Sequence, residues 1–228
     1  MRRFLSLVLN RFMALAVPLV CARLVLRFSE NGAPIGFNDG SAELLKYFTV
    51  LSNLLLGAAS LLFAIGLELK LCGVLKRVPR GVRLLKYMAV AAVGLTFATV
   101  LCFIGPRTGF RGSYKGANLW LHLILPVMAM LEYLLIDREG RLRFRHTFLC
   151  LICPAAYGVF YLGNLIINGY GGQGHPNDWY GFADSGPAGV FVVIAALVLG
   201  AWLIGLVLSL PKLRRAGKAK SATHEASN

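Results

Sequence analysis

The sequence predicts an all-α integral membrane protein, a bundle of six transmembrane helices with both termini cytoplasmic. Three observations carry this reading. The chain holds six apolar runs of about the 20 residues that a helix needs to cross a bilayer. Of its 228 residues 57% are hydrophobic, at a mean hydropathy of +0.66, which excludes a soluble enzyme. Basic residues cluster in alternate connections, as the positive-inside rule requires.

The predicted spans are 7–27, 44–67, 85–105, 119–136, 147–168 and 187–210. Met1-Arg2-Arg3 and Val20-Cys21-Ala22 have the outline of a secretory signal and its cleavage site. Asn10 and Arg11 interrupt that run and it continues through Leu26, so it is read as a retained first helix. Arg2 and Arg3 precede the first span; Lys70, Lys76, Arg77, Arg80 and Arg83 lie between the second and third. Arg138, Arg141, Arg143 and Arg145 separate the fourth and fifth, and Lys212, Arg214, Arg215, Lys218 and Lys220 follow the sixth. The loops around 31–43, 106–118 and 169–186 are therefore external, although Arg107, Arg111 and Lys115 sit in the second of them. Residues 1–215 form one domain, and the Lys-, Ala- and Ser-rich stretch 216–228 reads as a disordered cytoplasmic tail.

The net charge of +14 is accounted for by this topology, so nucleic acid is not an expected partner. All five cysteines except Cys72 lie inside apolar runs and read as small hydrophobes. Cys150 and Cys153 form a C-x-x-C without the polar setting or further ligands that redox or zinc chemistry needs. The glycine-rich stretch 169–175 is not followed by the Lys-Ser/Thr helix start of a phosphate loop. No internal repeat supports an inverted-repeat transporter.

The polar groups within the spans are the informative ones. Thr49, Ser52, Asn53, Gly57 and Ser60 form a small, polar stripe on the second helix, a composition that lets membrane helices approach closely. Thr49 is placed about 7 Å below the outer start of its span. His122, the one histidine inside a span, lies within about a turn of the same surface on the fourth. On the fifth, Pro154, Tyr157, Tyr161, Asn164 and Asn168 keep helical spacing and bring Tyr161 and Asn164 to that layer. Helices two, four and five are thus expected to line a cavity open toward the outer leaflet. An intramembrane ionisable residue marks a functional site by default; threonine bonding to its own helix and asparagine acting as interhelical glue are the plainer alternatives. Arg11 and Glu132, both toward the cytoplasmic side, are a possible pair.

Lys46-Tyr47-Phe48-Thr49, His122-Leu123-Ile124-Leu125-Pro126, and Trp179-Tyr180-Gly181-Phe182 with Gly186-Pro187 occur in that order. Over roughly residues 40 to 200 the chain resembles the androgen-induced family of multi-pass membrane threonine hydrolases, which cleave fatty acid esters of hydroxy fatty acids. Gly181 stands where that family's loop has Pro, which points to a distant, bacterial branch located in the cytoplasmic membrane. The resemblance implies Thr49 as nucleophile and His122 as its general base, with no cofactor and no metal. A hydroxyl needs such a base within hydrogen-bond reach. Attack on a lipid ester also needs oxyanion donors, for which Asn53, Asn118, Tyr161 and Asn164 are candidates. Lys46, Arg107, Arg111 or His175 would meet a fatty acid carboxylate, and Asp39, Glu43, Asp178 or Asp184 would orient His122. The expected partners are a lipid ester substrate and membrane lipids. The alternatives are a small-molecule or ion transporter and a non-catalytic regulatory membrane protein; a haem carrier is disfavoured by the single intramembrane histidine.

Overall fold

The computed structural model describes residues 1–28, 34–37, 41–169, 177–182 and 186–225. Among the described residues six helices are long and apolar enough to cross a membrane: α1 (Arg2–Val25), α2 (Phe48–Leu71), α3 (Arg80–Arg107), α4 (Ala117–Ile136), α5 (Phe144–Asn168) and α6 (Pro187–Glu225), whose apolar part is Ala188–Leu213. Helical pairing satisfies most of the backbone within each span, as hydrocarbon demands. Leu26–Phe28 pairs antiparallel with Pro34–Phe37 after α1, so a short two-stranded ribbon accompanies the otherwise helical fold.

The second helix begins four residues later than its predicted start at 44. Ser41–Lys46 is a 3-10 turn and Tyr47 is extended, with φ −86 and ψ 128, so helical geometry resumes only at Phe48. Thr49 therefore stands in the first turn of α2, where backbone N–H groups have no partner within the helix.

Prolines explain several irregular turns. Pro106, Pro126 and Pro154 offer no N–H to the carbonyl four residues back. Ahead of the first two lie the wide π turns Val100–Ile104 and Trp120–Ile124. Ahead of the third, α5 starts as the 3-10 segment Phe144–Leu151. A third π turn, Glu132–Ile136, has no such proline.

The core is centred on α3, buried at every position from Ala89 to Thr96. It packs against α2, α4 and α6, while α1 lies along α2. Small residues set two of these approaches. A Cβ on Gly57 would lie 3.0 Å from the Val17 side chain, and one on Gly205 would lie 2.6 Å from Cys150 Sγ. Bulkier residues at either position would force the helices apart. The five cysteines are free thiols. Apolar side chains such as Phe191, Val192, Leu199 and Val207 of α6 face outward, as a lipid-facing surface requires.

At the end of the bundle carrying the α2–α3 and α4–α5 connections, charges are buried together. Lys86, fully buried in α3, lies 2.6 Å from Glu132 and 3.6 Å from Asp137; Lys212 of α6 lies 2.8 Å from Asp137. Ser6 and Asn10 of α1 both donate to Glu132, the latter at 2.9 Å. Low dielectric makes such ions costly unless each is matched, and four helices contribute partners here. The expected Arg11–Glu132 pair does not form. Arg11 faces outward and pairs with Glu68 at 2.6 Å, because Glu132 turns inward to Lys86.

Candidate functional site

An apolar cavity lies at the opposite end of the bundle. Its walls are α3, from Leu95 to Ile104, α5 through Pro154, Tyr157, Gly158 and Tyr161, and α6 through Ile194 and Leu197. Phe48 and Thr49 of α2 close one side, and Tyr180 and Phe182 lie across it. The expectation that α2, α4 and α5 share the lining is thus corrected in one respect. α3 and α6 complete the wall, and α4 does not reach it.

The place of α4 follows from Asn53. Its side-chain N–H donates to the Thr49 carbonyl at 2.8 Å and to the Leu121 carbonyl of α4 at 3.1 Å. This seats α4 against the face of α2 one turn from Thr49, rather than on the cavity. The Leu121 carbonyl is free to accept because the π turn Trp120–Ile124 displaces it from regular α pairing. Asn53 is fully buried and acts as the interhelical glue its residue type suggests.

Thr49 is held by the turn beneath it. Its carbonyl also accepts from Ser52 Oγ at 3.1 Å, and Ser52 Oγ lies 3.0 Å from Thr96 Oγ1 on α3. Ser52 thereby joins α2 to α3 behind the cavity wall.

His122, half-buried, lies one residue beyond the Leu121 bridge. Its Nδ1 is 2.9 Å from the Ser113 carbonyl oxygen. A carbonyl only accepts, so the ring proton sits on Nδ1 and Nε2 carries the lone pair of the neutral tautomer. Among the described residues no hydrogen bond joins His122 to Thr49, and His122 is not on the cavity lining. None of the carboxylates considered for orienting the imidazole does so among the described residues. Glu43 is paired with Lys46 at 2.8 Å, Asp178 is bonded to Tyr161, and Asp39 and Asp184 lie outside the described residues. A backbone carbonyl takes that place, and a backbone group leaves no mark in residue types.

The segment 177–182 is strapped over the cavity. Tyr161, fully buried, donates its hydroxyl to Asp178, whose carboxylate also accepts the Phe182 N–H at 3.0 Å. Asn164 donates to the Asn177 carbonyl at 3.0 Å. Trp179 donates its indole N–H to the Tyr157 hydroxyl at 3.0 Å, and that hydroxyl donates to the Lys46 carbonyl at 2.6 Å. The Tyr180 hydroxyl accepts the Phe48 N–H at 3.0 Å, and burial pushes its phenol up, so it remains protonated. Tyr161 thus spends its hydroxyl proton and Asn164 one amide N–H on the loop, and Asn53 spends its own on the helices. Asn118 is exposed in the first turn of α4. The Lys46 ammonium stands over the Tyr47 and Trp179 rings, at 5.7 and 5.5 Å from their centroids. Arg107 covers the Phe103 ring and Arg111 is exposed; His175 lies outside the described residues. The clamping roles of Tyr157, Trp179, Tyr180 and Asp178 are not apparent from residue types alone, though the aromatic run 179–182 marks the segment.

Comparison with models of known protein families, with curated proteins and with solved structures gives no match. No group of metal-ligating side chains occurs among the described residues. Fold and site define a multi-pass, all-α membrane bundle with an apolar cavity under an aromatic loop.

Proposed function

We propose that the protein is an intramembrane hydrolase that cleaves a lipid or fatty acyl ester, such as a fatty acid ester of a hydroxy fatty acid, with Thr49 as nucleophile and His122 as general base. The observation that carries the reading is the position of Thr49 on the wall of a cavity whose other lining is almost wholly apolar. Such a lining receives an acyl chain, and its few hydroxyls offer an ion little coordination, which weighs against an ion transporter.

In this mechanism Thr49 Oγ1 attacks the ester carbonyl and its proton passes to His122 Nε2, the nitrogen that the Ser113 carbonyl leaves unprotonated. The proton then goes to the leaving alkoxide, which departs as an alcohol. Water, deprotonated by the same imidazole, hydrolyses the acyl-threonine, releases the fatty acid and restores Thr49. His122 must close on Thr49 when substrate enters, as catalytic hydrogen bonds commonly tighten only in the substrate complex. Asn118, exposed in the first turn of the helix that carries His122, serves the oxyanion once that helix has closed on Thr49, and the Lys46 ammonium meets a substrate carboxylate at the rim.

The test is hydrolysis of acyl esters by the purified protein in neutral detergent micelles, read as fatty acid released. Thr49→Ala is expected to abolish turnover and Thr49→Ser to retain part of it. If the wild-type protein releases no acid from any acyl ester, the reading is wrong.

A further inference from the structure

A second site lies away from the cavity, where the starts of α3 and α5 come together. Neither first turn holds an acidic residue, so the partial positive charge of each helix start is left uncompensated. Instead Arg80 and Arg83 lie on one, and Arg143 and Arg145 stand at the other. All four guanidinium charges act on the ring of His146, which is only 7% exposed. Among the described residues none of these arginines is paired with a carboxylate; the nearby Glu139 and Asp137 are taken by Lys70 and Lys212.

The ring itself carries a conflict. His146 Nδ1 lies 3.0 Å from the Arg143 backbone N–H, and Nε2 lies 2.7 Å from Arg80 Nη2. A backbone N–H and a guanidinium both only donate. Neutral imidazole has one lone pair and one N–H, so it accepts from one of them and points its own N–H at the other. Protonation removes the lone pair and makes matters worse. Arg83 cannot relieve this: its Nε donates to the Val78 carbonyl at 3.2 Å, and its guanidinium lies on the bare backbone of Gly140, where a Cβ would be 1.3 Å from Nη1. What the cluster lacks is an acceptor.

We propose that this cluster is a phosphate-binding site. A phosphate oxygen accepts from both Arg80 Nη2 and His146 Nε2–H, while Nδ1 keeps the Arg143 N–H, so each contact of the ring becomes a donor meeting an acceptor. The planar guanidinium fork suits a phosphate oxygen pair. Phe144, Phe148 and Ile152, all exposed along the adjoining face of α5, place the site at headgroup level. The group recognised is the phosphate oxyanion, whether on an anionic phospholipid or free in solution.

The experiment follows the unfolding temperature and the 31P linewidth of ligand in two titrations at fixed ionic strength. One adds inorganic phosphate to the protein in neutral detergent. The other raises phosphatidylglycerol in phosphatidylcholine nanodiscs. A saturable response to inorganic phosphate identifies the free anion; a saturable response to phosphatidylglycerol alone identifies the lipid headgroup. In either case Arg80→Gln weakens binding about tenfold or more, the loss of one charge-assisted hydrogen bond, and Lys115→Gln at the other end of the bundle changes nothing. Should Arg80→Gln fail to fold, the exposed Arg145→Gln gives the same direction, and the 31P measurement on unaltered protein needs no variant. Absence of saturation in both titrations, or unchanged binding in a folded Arg80→Gln, overturns the proposal.

Discussion

The Tyr180 hydroxyl accepts the backbone N–H of Phe48 at 3.0 Å, which ties the last loop to the first turn of α2 immediately beside Thr49. That N–H is one of the helix-start donors without an intrahelical partner, so the loop completes the helix. Tyr180→Phe removes the acceptor while keeping the ring. It is expected to cost roughly 1–3 kcal/mol, the penalty for a buried donor left unpaired. Thermal unfolding in detergent measures the cost, and faster hydrogen exchange at Phe48 locates it.

Asn53 bridges α2 and α4 through two carbonyls, Thr49 and Leu121. Asn53→Leu keeps the volume and deletes both bonds. Membrane hydrogen bonds of this kind are worth about 0.6 kcal/mol on average and up to about 1.7, so a loss of about 1–3 kcal/mol is expected in denaturant unfolding, with the helical content unchanged by circular dichroism.

The buried ions should show strong coupling. Lys86→Met strands Glu132, and breaking a buried pair from one side costs about 3–5 kcal/mol. Lys86→Met combined with Glu132→Leu removes both charges and is expected to recover much of that loss. A double-mutant cycle on unfolding free energies checks it; additive costs would show that the two residues do not act as a pair.

The same cluster has a defined response to pH. Burial pushes the Asp137 carboxyl up, but Lys86 and then Lys212 more than offset this and hold it below the ordinary carboxylate range. A depressed folded-state value contributes stability that is complete above the unfolded value of about 3.9 and is lost as pH falls through the folded one. The unfolding temperature is therefore expected to be insensitive to this group from about pH 5 upward and to fall below about pH 4. Asp137→Asn should flatten the acid limb specifically.

Much of the architecture was legible in residue types, because hydrocarbon imposes length and polarity rules that a chain cannot evade. The six spans emerge within a few residues, and the stripe Ser52, Asn53 and Gly57 indeed packs α2 against its neighbours. What escaped was carried by backbone. The late start of α2 rests on the extended conformation of Tyr47, the seating of α4 on a carbonyl released by the π turn before Pro126, and the orientation of His122 on the Ser113 carbonyl. Glu132 illustrates a different limit. Depth along the helices brought Arg11 and Glu132 to one level, but only the rotation of each helix decides that Arg11 meets Glu68 and Glu132 meets Lys86.

The role of Thr49 is tested most directly by labelling the purified protein with a fluorophosphonate and mapping the adduct by mass spectrometry. The hydrolase reading predicts a single adduct on Thr49 Oγ1, absent from Thr49→Ala and strongly reduced in folded His122→Ala. An adduct that persists in Thr49→Ala, or none in a wild-type protein that also leaves acyl esters intact, would contradict it.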